Sequence, residues 1–272
     1  MNAHPSGTWP ASTEADRGRS IVVIGAGPIG AYVASRLAAS NRVTLIDADP
    51  GSPDSTQRPQ LLRALGEAAT TVRPRTHLPT SVTLLHGQVS RISRTESRVV
   101  LRDERRVPYD RLVLALGAEP VRPDSVHSGQ LPPGIQFAYS GADFQQITEA
   151  AQAGQAITIM GGGALAMELA WGLAAWTRVR LVARHGLLSR HVAPEIAARV
   201  ATHLGKRGVQ LALDCPITRV QELDGKVTAW AGDGTMHVSD CLVLACGTRP
   251  RTSVAQEAGL PVNRGILVDA DM

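Results

Sequence analysis

The chain has 272 residues, 43% hydrophobic and 19% charged, so one large domain or two modest ones with an ordinary buried core are expected, and wholesale disorder is excluded. Its net charge is +4, but the basic residues, almost all Arg, are scattered and aromatics make up only 3%, so no nucleic-acid partner is indicated. No apolar run reaches the roughly 18–20 residues of a membrane span and the first twenty residues lack a signal-peptide apolar core, so the expectation is a cytoplasmic protein with no membrane contact.

In chain order, residues 1–19 read as a disordered leader. Ile21–Asp47 then reads as an apolar strand, a Gly-rich turn, an Ala-rich helix and a second strand. This is a βαβ unit. Residues 82–108 read as short strands with charged turns, a small β-meander. Asp110–Leu114 is an apolar strand closing on Gly117. Residues 119–154 hold a Pro-rich crossover segment and a helix. A second βαβ unit spans Ile157–Ala183, followed by a second meander near 217–238 and an apolar strand closing on Gly247. Residues 249–272 read as a return segment, with Ile266–Asp269 as a strand. The three cysteines, Cys215, Cys241 and Cys246, form no CxxC pair, so neither a zinc site nor a dithiol is indicated.

The plan is internally duplicated. Ile21–Asp47 aligns with Ile157–Ala183 without a gap, ten of 27 positions being identical. Asp110–Pro120 aligns with Asp240–Pro250 at seven of eleven positions. Two copies of one nucleotide-binding plan follow. The fold class is therefore α/β, with two Rossmann-like βαβ domains, each with a small β-meander insert: residues 20–118 and residues 155–248.

The glycines have a mechanical reason. In Gly25-Ala-Gly27-Pro28-Ile-Gly30 the first glycine permits the tight turn. The second lets backbone approach a pyrophosphate, and the third lets helix and strand pack closely. Helix N–H groups then hold the phosphates. Asp47, twenty residues after Gly27, is placed to accept from ribose hydroxyls. In the second copy Gly161, Gly163 and Ala166 keep the pattern, but Ala183 stands where Asp47 does and Arg184 follows. Losing a carboxylate and gaining a guanidinium favours a 2′-phosphate, which points to NADPH over NADH; Arg190 adds charge.

Two such fingerprints, each followed by an apolar strand ending in Gly, resemble the FAD- and NAD(P)-dependent oxidoreductases with two dinucleotide-binding domains, the pyridine nucleotide-disulfide oxidoreductase superfamily. Residues 48–80 contain no Cys, so the resemblance is to the branch without a redox disulfide. That branch includes ferredoxin and rubredoxin reductases, the nitrite reductase large subunit and apoptosis-inducing factor. Its Arg-Pro-x-Leu-Ser-Lys run is matched in part by Arg58-Pro59-Gln60-Leu61-Leu62-Arg63. The resemblance implies FAD on the first fingerprint, with Pro28 among its contacts, and NADP (or NAD) on the second. It implies an ion pair near the flavin between Arg63 and Glu168 as catalytic groups, and backbone passing close to cofactor at Gly117 and Gly247.

The implied reaction is hydride transfer from NADPH to flavin and on to an acceptor, which is an electron-carrier protein, a quinone, another small molecule or oxygen. The resemblance also implies a Gly-Asp motif and an interface domain beyond a strand such as Gly265–Asp269, and neither has a counterpart before Met272. The alternative is therefore a truncated or non-catalytic nucleotide-binding subunit needing a partner chain, and a homodimer stays open.

Overall fold

A computed structural model describes residues 18–48, 78–127, 129–189 and 192–270. Arg58, Pro59, Arg63 and Arg190 lie outside the described residues. The chain divides into two compact units, one holding residues 18–48, 78–117 and 250–270, the other residues 118–249.

In the first unit, β1 (Ser20–Ile24), α1 (Pro28–Leu37) and β2 (Arg42–Asp47) form the expected βαβ unit. β3 (Val82–His86) and β7 (Arg111–Leu114) complete a four-stranded sheet of order β3-β2-β1-β7, every pair parallel. A parallel sheet is covered on both faces, so its strands are apolar throughout rather than alternating. Ile21, Val23 and Leu45 face Ala34 of α1, while Val22, Ile24 and Ile46 face Ile92, Val99 and Leu101. Those last three belong to an antiparallel meander, β4 (Val89–Ser93), β5 (Arg98–Leu101) and β6 (Arg106–Pro108). Residues 82–86, expected in the meander, are thus the edge strand of the main sheet. The short helix α5 (Ser253–Glu257) puts Val254 against the meander side of this core.

The second unit contains β8 (Ala118–Pro120), β9 (Ile135–Phe137), α2 (Gly141–Gln152), β10 (Ile157–Met160), α3 (Ala164–Leu173), β11 (Val179–Val182), α4 (Pro194–Lys206), β12 (Gln210–Ala212) and β16 (Cys241–Leu244). Its five-stranded parallel sheet runs β12-β11-β10-β16-β9. The segment 119–154 therefore supplies this sheet with an edge strand and a helix. Ser140 starts α2 with a capping box: its hydroxyl accepts from the Asp143 N–H, and the Asp143 carboxylate accepts from the Ser140 N–H, an arrangement worth about 1 kcal/mol. One sheet face, with Ile157, Ile159 and Leu181, packs on Leu169, Leu173 and Phe144 of the helices. The other, with Met160, Leu242 and Leu244, packs on Val220, Val227 and Ala229. These come from a second meander, β13 (Ile217–Leu223), β14 (Lys226–Ala231) and β15 (Met236–Ser239).

Ile266–Asp269 is not a strand. Only Ile266 bridges, to Val262, and Leu267 and Val268 are exposed. An apolar run becomes a strand when a neighbour takes its backbone bonds, and no described strand lies alongside this one.

Candidate functional site: two glycine turns

In each unit the two repeated sequence blocks meet at the glycine turn. Gly25 has φ +100°, and a Cβ there would lie 2.1 Å from the Ala115 carbonyl oxygen. Gly161 has φ +148°, and its Cβ would lie 2.3 Å from the Ala245 carbonyl oxygen. Both the backbone angle and the space exclude a side chain. The surrounding bonds repeat as well: the Gly25 N–H donates to Ile46 O and the Gly161 N–H to Val182 O, at 2.8 and 2.9 Å. One Oδ of Asp110 accepts from Ser20 N at 2.7 Å, and one Oδ of Asp240 from Ala156 N at 2.9 Å. These aspartates open the second repeated block in each copy and tie it to the foot of the first strand.

The middle glycines are different. A Cβ on Gly27 or Gly163 would meet nothing within 4 Å. Each is the N-cap of a ten-residue helix, α1 or α3, and neither helix start has a side-chain cap. Pro28 occupies the first turn of α1, where its fixed φ suits the helix. Open space over uncapped N–H groups at the positive end of a helix dipole fits a pyrophosphate. Gly117 and Gly247 both have left-handed φ; a Cβ on Gly247 would meet nothing within 4 Å, and one on Gly117 only Arg251 Nη1 at 3.9 Å.

The third positions part company. A Cβ on Gly30 would lie 1.8 Å from Gly25 O, whereas Ala166 is fully buried with room for its methyl. So α1 sits tighter on its turn than α3.

The acid positions differ more. Asp47 stands at the end of β2, and its Oδ2 accepts from the Ala26 N–H at 2.5 Å. It thus holds the glycine turn itself, a role that spacing from Gly27 did not reveal. In the second copy the matching Ala183 is buried, at 1%, and the backbone around it closes in. A Cβ on Gly162 would lie 3.2 Å from the Ala183 Cβ and 3.3 Å from Gly186 O, and the Leu188 N–H donates to Gly162 O at 2.8 Å. Leu188 itself takes φ +48°. Arg184 is exposed, with no hydrogen bond or ion pair among the described residues. Its charge reaches Cys246, next to Gly247. Burial pushes that thiol up to about 11, and Arg184 pulls the other way. Arg184 and the Cys246–Gly247 corner therefore share one neighbourhood. Glu168 lies exposed on α3; its proposed partner Arg63 lies outside the described residues, as does Arg190. Among the described residues no group of His, Cys, Asp and Glu is arranged to hold a metal, and no helix is long and apolar enough to cross a membrane.

Comparison with known proteins bears on this pair of turns. Residues 19–272 match the family described as pyridine nucleotide-disulphide oxidoreductase. The chain belongs to that family. It is 32% identical over 186 residues to the nitric oxide reductase FlRd-NAD(+) reductase of Vibrio vulnificus strain CMCP6, covering 68% of this chain and 48% of that one. It is 30% identical over 268 residues to the rhodocoxin reductase of Rhodococcus erythropolis, covering 92% and 61%. Among solved structures, the covalent putidaredoxin reductase–putidaredoxin complex superposes with a TM-score of 0.82 at 26% identity, over 92% of this chain and 63% of that one. The chain spans about half the length of the first curated relatives it matches. Its fold is the mixed α/β, parallel-sheet fold of these two-dinucleotide oxidoreductases.

Proposed function

We propose that this chain carries the nucleotide sites of an FAD-dependent NAD(P)H oxidoreductase that delivers electrons to a small protein carrier. The observation behind it is the pair of glycine turns, each with an open middle glycine and an uncapped helix start, in a member of this family. In this reading residues 20–118 form the FAD-binding part and residues 155–248 the NAD(P)-binding part. Gly25, Gly27, Pro28 and Gly30 seat the FAD pyrophosphate at the start of α1, and Asp47 receives the adenosine ribose while bracing the turn. Gly161, Gly163 and Ala166 seat the pyridine nucleotide at the start of α3.

Arg184 supplies a guanidinium for a 2′-phosphate, with Arg190 adding charge, so NADPH is preferred to NADH. Gly117 and Gly247 leave backbone open beside the cofactors. Glu168 pairs with Arg63 and fixes that cation beside the flavin. The flavin, when bound, supplies hydride acceptance and onward electron transfer; the protein supplies position and charge. A protein carrier as acceptor is supported by the names of the relatives, a rhodocoxin reductase and a nitric oxide reductase FlRd-NAD(+) reductase, and by the putidaredoxin reductase–putidaredoxin complex.

Purified protein incubated with FAD is expected to turn yellow, and NADPH to bleach that colour. Protein that stays colourless overturns the reading. Arg184→Ala is expected to weaken NADPH binding about tenfold or more while leaving NADH binding unchanged; equal NADPH binding by both proteins removes the 2′-phosphate assignment. For the pair, each single charge reversal at Arg63 or Glu168 is expected to slow flavin reduction and the double reversal to restore part of it; no restoration counts against the pair.

A further inference from the structure

The first unit carries a contact at its ligand end that the second unit lacks. In an open parallel sheet, ligands bind at the carboxyl ends of the strands. At that end of the first sheet, Asp47 of β2 stands in direct register with His86, the last residue of β3. The His86 ring Nε2 lies 2.7 Å from the Ala48 carbonyl oxygen. A carbonyl only accepts, so the ring nitrogen donates. Nε2 carries a proton in that neutral tautomer and in the imidazolium alike, so the bond survives a change of charge.

His86 is itself held from the meander side. Its carbonyl accepts from Arg105 Nη2 at 2.5 Å, and Arg105 Nε donates to Asp103 Oδ2 at 2.9 Å. The next residue, Gly87, donates its N–H to Asp47 O at 2.9 Å. A Cβ on Gly87 would lie 2.7 Å from Leu101 Cδ1 and 3.0 Å from Arg105 Nη2, so the chain passes close to the meander here. Two successive carbonyls, those of Asp47 and Ala48, are thus engaged, one by a backbone N–H and the next by an imidazole.

The second copy keeps only the first of these bonds. There the Cys215 N–H donates to Ala183 O at 2.9 Å. Leu213, the residue after β12, packs against the apolar core instead. Among the described residues no side chain donates to the carbonyl of Arg184, which aligns with Ala48. The His86 ring is exposed and fills no part of a core. What its bond fixes is the peptide that follows Asp47, at the end of the sheet where the ligand lies.

We propose that His86 is a positioning residue of the FAD site: its ring holds the Ala48 peptide and so sets the chain around Asp47 for the adenosine end of the dinucleotide. The proposal rests on the first glycine turn being the FAD seat, and adds to it a residue outside the glycine fingerprint. A peptide fixed beforehand spares the ordering cost of binding. FAD affinity of the nucleotide-free protein, read from the change in flavin fluorescence, is compared for the wild type, His86→Ala and His86→Gln. The glutamine amide carries an N–H donor at about the same reach. His86→Ala is expected to bind FAD about fivefold more weakly with the urea midpoint of the nucleotide-free protein unchanged, and His86→Gln to recover most of the loss. Wild-type protein that takes up no FAD overturns the FAD seat and this role with it. Where the wild type binds FAD, equal affinity in His86→Ala overturns the positioning role alone. So does His86→Gln binding as weakly as His86→Ala, or a fall in the urea midpoint that accompanies the loss.

Discussion

The two glycine turns share their backbone and differ in what surrounds it. In both, the first glycine is pressed against the carbonyl of the alanine after the last core strand, and an aspartate ties that strand's start to the foot of the first strand. In the first unit the turn is braced by a carboxylate, Asp47, and roofed closely by α1. In the second the carboxylate is replaced by a buried methyl, the loop after β11 folds onto Gly162, and a charge of opposite sign stands one residue on, at exposed Arg184. The difference teaches that the repeated part is a mechanical frame, whereas the acid position varies between the copies, bracing the turn in one and packing a methyl in the other.

The frame can be broken in either copy. Gly25→Ala and Gly161→Ala each force a methyl onto a carbonyl and an L-residue into a left-handed or neighbouring conformation. Each is expected to cost about 4 kcal/mol, read as loss of folded protein or a large fall in the urea midpoint. If one of the two is tolerated, the frames are not equivalent.

Alkaline pH separates the copies next. Cys241 and Cys246 occupy the places of Arg111 and Leu116 in the repeat, and burial pushes both thiols up to about 11. An unfolded thiol ionises near 8.5. Below that both states are protonated and the contribution to stability is full. Above it the unfolded chain releases its protons first, so stability falls until about pH 11, by about 3 kcal/mol per thiol. Denaturant unfolding between pH 8 and pH 11 should show this slope, and the double variant Cys241→Ala, Cys246→Ala should flatten it. An unchanged slope would place its origin outside these thiols.

Asp47→Ala leaves the buried Ala26 N–H without its acceptor and should cost about 1–2 kcal/mol, measured by urea unfolding of the nucleotide-free protein. An unchanged midpoint would return Asp47 to ligand binding alone. Smallest of all in stability are Gly27→Ala and Gly163→Ala, which meet open space and extended or ordinary backbone; they should shift unfolding by less than about 0.5 kcal/mol while weakening their nucleotides. Equal stability losses at the first and middle glycines would erase the distinction between frame and seat.

Periodicity and repetition carried the βαβ units, both turns and the parallel sheets, because apolar runs and glycine spacing are local signals. The pairing of Gly25 with Ala115, and of Gly161 with Ala245, was present as two separate repeats whose contact only the fold supplies. Asp47 was legible as an acid at the right distance, but its bond to Ala26 N–H depends on the turn's orientation. Edge membership escaped: Val82–His86 and Ile135–Phe137 are short apolar runs whose sheet is decided by a distant partner. Ile266–Asp269 has the composition of a strand and no neighbour to make it one. The tight fit at Gly30, beside the tolerated Ala166, reflects a small difference in helix placement that residue types do not encode.

The division of the chain bears on the order of synthesis. Among the described residues the second unit is the one stretch 118–249, and its core clusters draw on no described residue outside it. The first unit, begun earlier, still lacks Val254 and Ala258 against its meander core until residues 250–260 emerge. During synthesis the described part of the later unit is therefore complete before the meander core of the earlier one, which waits for Val254 and Ala258.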